Sequence, residues 1–155
     1  MKKAIFLFVA VLIFISCSKD EDGNTVQPSM SALIDDEQWN AITRVTILED
    51  GKFIITGTSL SGKTLTITIF GTTEGKYELN LTSATTGAVY KESVSLTAED
   101  AYISATGEVD LTEVNTSKKK ISGTFSFIVI RNLTNTINIT DGEFTSLSYT
   151  VTGDQ

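Results

Sequence analysis

From Met30 onward, apolar and polar residues alternate with a period of two. In Thr64–Phe70, Leu65, Ile67 and Ile69 share one face, and Thr64, Thr66 and Thr68 share the other. In Lys76–Thr82, Tyr77, Leu79 and Leu81 alternate with Lys76, Glu78 and Asn80. In Lys120–Ile130, Ile121, Phe125, Phe127 and Val129 have the parity of Gly123. Successive side chains of a strand point to opposite faces, so each run predicts an antiparallel strand with one buried face. The punctuation agrees. Asp50-Gly51 predicts a two-residue hairpin between Val45–Leu48 and Phe53–Thr58. Ser61-Gly62, Glu74-Gly75, Thr86-Gly87 and Asp141-Gly142 mark further turns, and Asn115–Lys119 joins Val109–Val114 to Ile121–Ile130 as a longer hairpin. About nine to ten short strands, one every 8–12 residues or so, predict a single all-β domain: an antiparallel β-sandwich or a partly open β-barrel. No stretch keeps a helical period; Ala98–Ala101 allows a single helical turn.

Several residues break the pattern. Phe70 and Phe144 lie out of phase with their strands. That predicts a bulge or a strand covered on both sides, with an exposed binding platform as the alternative. Ile128 and Ile130 fall off the main face of their strand, which predicts a doubly covered stretch or a contact with a partner. The phrase Ile-x-Gly-Thr recurs at Ile55–Thr58, Ile69–Thr72 and Ile121–Thr124 without a fixed period. It reads as glycine marking bends rather than as a repeated ligand surface. Trp39, the single Trp, is expected in the core.

The N-terminus follows a different rule. Lys2 and Lys3 precede the unbroken apolar run Ala4–Ile15, 12 residues long. A transmembrane helix needs about 20, so the run fits the apolar segment of a signal peptide over residues 1–16. Phe14-Ile15-Ser16-Cys17 follows, with a small residue directly before the single Cys. This resembles the lipobox of bacterial lipoproteins, with Phe14 where Leu is usual. The resemblance implies cleavage before Cys17, acylation of its thiol, and a membrane anchor made of lipid rather than protein. Ser18-Lys19-Asp20-Glu21-Asp22 is similar to the acidic export tag of Bacteroidetes surface lipoproteins, which implies the outer face of the outer membrane, with the periplasmic face as the alternative. Residues 17–29 form a polar tether whose composition cannot bury a core. Extended, it would span about 45 Å. The domain is expected over residues 30–155.

Within that domain, Ser31–Ala41, Ile55-Thr56-Gly57-Thr58, Gly75-Lys76-Tyr77, Ile121–Phe127 and Ile139–Phe144 occur in an order that resembles an uncharacterised family of small Bacteroidetes outer-membrane lipoproteins, known as a domain of unknown function. The resemblance spans essentially the whole domain. It implies an all-β envelope lipoprotein and supplies no catalytic residues.

Composition narrows the chemistry. The chain has no His and one Cys among 155 residues. This excludes His-dependent triads, His-ligated metals, internal disulfides and Cys clusters. Loss of Lys2 and Lys3 leaves ten basic residues against 19 acidic, a net charge of −9. Such a chain repels phosphate backbones, so no nucleic-acid partner is expected. Lys118-Lys119-Lys120 reads as a turn. The acidic groups Asp35-Asp36-Glu37, Glu49-Asp50 and Glu99-Asp100 fall at turns, and Glu108 and Asp110 on a strand, so they read as solvated carboxylates. None matches a calcium-loop spacing. No catalytic residue, cofactor or metal site is implied. The expected function is a non-enzymatic surface binding or accessory module for a glycan or an envelope protein. The alternatives are a structural lipoprotein with no small ligand, a lipocalin-like carrier and a carboxylate-based hydrolase.

Overall fold

In a computed structural model, the structure describes residues 27, 29–81, 86–132 and 134–153. The expected signal peptide, Cys17 and nearly all of the tether lie outside these residues. The chain folds as ten strands: β1 (Ser29–Ile34), β2 (Glu37–Glu49), β3 (Lys52–Ser59), β4 (Thr64–Phe70), β5 (Gly75–Asn80), β6 (Gly87–Lys91), β7 (Tyr102–Asn115), β8 (Lys120–Arg131), β9 (Asn135–Ser148) and β10 (Thr150–Thr152). Eight of them close an antiparallel barrel in the order β1-β9-β8-β7-β6-β4-β3-β2, with β2 pairing back onto β1. The barrel alternative of the sequence reading is the observed one, and it is fully closed.

The two remaining strands extend staves of the barrel. β10 runs parallel to β2 at Ile47–Glu49, below the stretch Glu37–Asn40 that β1 occupies. β5 pairs with β7 at Thr106–Leu111, below the two residues that hold β6. Four strands are 12–14 residues long, longer than the alternation alone suggests. Bulges explain their length. Register shifts at Ala41/Thr43, Ser104/Thr106 and Leu111/Glu113 kink β2 and β7 without ending them. Asp141-Gly142 is the clearest case. Instead of the expected turn, it forms a bulge inside β9, with Asp141 left-handed at φ +48°. Extra twist at such points lets a long strand wrap a barrel.

The inward faces follow the alternation. Leu65, Ile67 and Ile69 are fully buried, and Ile121, Phe125, Phe127 and Val129 line the same interior. A bulge at Thr145 and Ser146 turns both Phe144 and Leu147 inward, so the out-of-phase Phe144 is a core residue. Phe70 differs. It ends β4 on the outer surface, 47% exposed, with the Lys52 Nζ 5.9 Å from its ring. No bulge or cover buries it. The single helical turn allowed at Ala98–Ala101 is a lone backbone turn, where the Ala101 N–H donates to the Ala98 carbonyl.

The Ile-x-Gly-Thr phrase has a packing cause. A Cβ on Gly57 would stand 2.8 Å from the Trp39 ring, and one on Gly123 would stand 2.6 Å from the Phe144 ring. A Cβ on Gly71 would overlap Tyr77. In each copy the glycine leaves room for a neighbouring aromatic ring.

The Asp35-Asp36 turn between β1 and β2 carries strain. Both residues are left-handed, at φ +47° and +65°. Such two-residue turns favour Gly at the second position, as Asp50-Gly51 has. Asp35 is held by its contacts: its Oδ1 accepts from the Asn138 N–H at 2.8 Å, and its own N–H donates to the Asn138 carbonyl. Asp36→Gly is therefore expected to raise stability by about 0.5–1 kcal/mol. A higher urea midpoint checks this; an unchanged or lower midpoint contradicts it.

The core also sets an alkaline limit. Burial, with Glu92 and Tyr102 adding to it, pushes the Tyr90 phenol up from 10.0 to about 12. Below pH 10 the phenol is neutral in both the folded and the unfolded chain, so stability is unaffected. Above it the unfolded chain loses the proton first, and stability drains as pH rises toward 12. The full loss is about 3 kcal/mol. Urea midpoints at pH 8 and 11 should differ less for Tyr90→Phe than for the wild type; equal slopes would rule the mechanism out.

Candidate functional site

Chain direction gives the barrel two distinct ends. β1 starts low, with Ser29 opposite Thr145, and rises to the Asp35-Asp36 turn. The β3–β4 turn, the segment 92–101 and the β8–β9 connection lie at that same upper end. The Asp50-Gly51 turn, the β7–β8 connection and β10 lie at the other. The first strand, β1, therefore begins at the lower end, away from the upper turns.

A concavity with a volume of about 530 Å³ opens at the upper end. It lies where β2 runs past the end of β3, since pairing between them begins only at Ala41. Its walls are Gln38 and Asn40 from β2 and Ser59, Leu60, Ser61 and Lys63 from the β3–β4 hairpin. The bulge after Ala41 turns Ile42 outward, 56% exposed. Leu60 caps the hairpin at 86% exposed. Beneath them Trp39 is 3% exposed, as a core residue should be, and its indole N–H donates to the Lys63 carbonyl at 3.2 Å. That carbonyl also accepts the Ser59 N–H, and the Gly62 N–H donates to the Ser59 carbonyl. The hairpin is thus clamped to the core from below. Lys63 pairs with Glu37 at 3.3 Å.

On the other side of the hairpin, a smaller hollow of about 240 Å³ is lined by Thr58, Thr64, Thr66, Val89, Lys91 and Val94. Two cross-strand threonine pairs, Thr56–Thr66 at 3.1 Å and Thr58–Thr64 at 3.2 Å, join their hydroxyls on this outer face. The Thr64-x-Thr66-x-Thr68 alternation places these hydroxyls outward because Leu65, Ile67 and Ile69 fill the inside.

Farther round the barrel, Val89 pairs with Ile103 and Ile103 with Ile130, in one apolar row across β6, β7 and β8. Val89 is 37% and Ile103 51% exposed. Ile128 and Ile130, off-phase in the sequence, lie half-buried on this outer surface. Ile103 carried no sequence signal, because Ser104–Glu108 is too polar to read as the strand that β7 makes of it.

The carboxylates are dispersed as the alternation places them. Asp35-Asp36, Asp50 and Glu99-Asp100 sit in turns, and Glu37 and Glu49 at the ends of β2. Glu108 and Glu78 face each other across β5 and β7 on the surface. Lys76 donates to Glu108 at 2.8 Å, and that contact raises the lysine pKa. Among the described residues, no group of three His, Cys, Asp or Glu side chains is arranged to hold a metal. Lys118 and Lys119 lie in the β7–β8 turn. The barrel interior is filled by side chains, Phe53, Phe125, Phe127 and Phe144 among them.

These features define a closed, side-chain-filled β-barrel with two hollows beside the β3–β4 hairpin at its upper end and a third, of about 490 Å³, on the wall along β5, β7 and β8. The chain belongs to the family described as Domain of unknown function (DUF6252), whose model matches residues 26–148. No curated protein and no solved structure matches it.

Proposed function

We propose that this protein is a non-enzymatic binding module, anchored to the outer membrane through acylated Cys17 and displayed on the cell surface, a lipoprotein of Bacteroidetes type. One observation carries the reading: β1, the first strand, begins at the end of the barrel opposite the groove walled by Gln38, Asn40 and the β3–β4 hairpin. An anchor upstream of Ser29 holds the lower end toward the membrane and leaves the upper end free to meet a glycan or an envelope protein. The acidic chain and its dispersed carboxylates suit recognition rather than acid–base chemistry, which needs two acids placed across a scissile bond.

The anchor has a direct test. Cys17→Ser is expected to remove a mass increment of acyl-chain size and to leave the chain uncleaved, with Ala4–Ile15 still attached. A wild-type chain without the acyl increment, or a variant cleaved like the wild type, would overturn the anchor. A second reading, a structural lipoprotein held by partner contacts, draws support from the Val89–Ile103–Ile130 row, since apolar side chains in line on a polar surface suit a protein contact.

A further inference from the structure

The observations at the upper end go beyond the location of a groove. We propose that the two hollows flanking the β3–β4 hairpin form a single site for a neutral saccharide chain, lying across the hairpin with Leu60 at its centre. The proposal rests on the reading of the protein as a binding module and names the ligand class of that module.

Size comes first. The hollows measure about 530 and 240 Å³, and the larger falls within the roughly 300–1,000 Å³ of small-molecule sites. The hairpin between them contributes to both walls: Thr58 and Thr64 face one side, Ser59, Ser61 and Lys63 the other. A ligand that fills both must be extended and must cross the ridge.

Chemistry comes second. A pyranose presents hydroxyls at its rim and C–H groups on its faces, so it asks for hydroxyl and amide partners interleaved with aliphatic surface. The larger hollow offers the Gln38 and Asn40 amides beside exposed Ile42 and Leu60. The smaller one offers threonine hydroxyls beside Val89 and Val94, the latter 66% exposed.

Charge decides between neutral and acidic chains. Of the two cations at the site, Lys63 is paired with the Glu37 carboxylate at 3.3 Å, and Lys91 donates to the Leu96 carbonyl at 3.4 Å. The chain as a whole is acidic, at −7. A uronic-acid or sulfated glycan would meet net repulsion, with Lys91 as the one cation at the site not paired to a carboxylate. A neutral one meets none.

Preorganisation supports the same reading. Four backbone or side-chain bonds lock the Ser59–Lys63 turn, and Trp39 props it from within. A prebuilt ridge spares a weak ligand the cost of ordering it.

The test is equilibrium binding to the full-length chain in detergent. The probes are neutral hexasaccharides from glucans, mannans, xylans and galactans, with hexagalacturonate as the acidic comparison. At least one neutral hexamer is expected to bind tenfold or more tightly than hexagalacturonate. Asn40→Ala on one side of the ridge and Thr64→Val on the other should each weaken it about fivefold, with unchanged Tm. Ile103→Asp, on the apolar row, should leave it intact. No binding to any neutral hexamer, tighter binding of the acidic one, or indifference to both variants overturns the proposal. The acyl mass on Cys17 is independent of any sugar, so failure of this site and failure of the anchored-module reading are separate results.

Discussion

Gly107→Ala should unfold the barrel more readily than any other single methyl addition to it. Gly107 sits in β7 at φ +143°, a backbone region that side chains rarely adopt. A Cβ there would also collide with the Ser126 carbonyl and with Phe127. The carbonyl belongs to the neighbouring strand β8, so relief requires the sheet itself to move. Strain of about 1–3 kcal/mol adds to overpacking of about 1–3 kcal/mol. The expected loss is ~3 kcal/mol or more, a large part of the roughly 5–15 kcal/mol that holds a domain together. Thermal unfolding should show a Tm about 10 °C or more below the wild type. A fall of only a degree or two would mean that β7 and β8 do not meet as described.

The second large effect is at Trp39. The ring closes the upper end of the core and contacts the space left by Gly57. Trp39→Ala removes that volume and the bond to the Lys63 carbonyl, at a cost of about 3–5 kcal/mol. Gly57→Ala alone is also expected to destabilise, because its Cβ would lie 2.7 Å from the Met30 sulfur and 2.8 Å from the Trp39 ring. The two changes are coupled. With Trp39 truncated, the added Cβ gains room, so the double variant should lose less than the two single losses combined, by about 1 kcal/mol or more. Urea unfolding of the four proteins measures this coupling. Strict additivity would place the ring elsewhere.

Most of the barrel was legible because its strands obey two-residue alternation wherever one face is wet. Thr64–Phe70 was read with its observed bounds, and the Asp50-Gly51 turn sits where the dipeptide placed it. Closure was not legible. It depends on β1 meeting β9 over a hundred residues away, and no local pattern encodes that pairing. Bulges were the second blind spot. Asp141-Gly142 has turn chemistry, yet the same left-handed backbone serves a bulge when the strand has partners on both sides. Phe144 was flagged by its phase, and the bulge after it explains the phase. Phe70 carried the same flag and ended on the surface, since it closes its strand where no further layer covers it.

The candidate site was the least visible part. Trp39 was read as core, and the groove above it is built from Gln38, Asn40 and a turn, residue types common on any surface. Only the meeting of β2 with the end of β3 gathers them. Ile128 and Ile130 gave a signal through their parity, whereas Ile103, which completes their row, gave none.

The central claim is that the grooved end points away from the membrane at the cell surface. A membrane-impermeant maleimide applied to intact cells tests it most directly. Leu60→Cys places a thiol at the tip of the hairpin, and the only native thiol is that of Cys17. Labelling of Leu60→Cys on intact cells, with none of the wild type, is the predicted result. Labelling of Leu60→Cys only after the outer membrane is opened, or labelling of the wild type at Cys17, would contradict it.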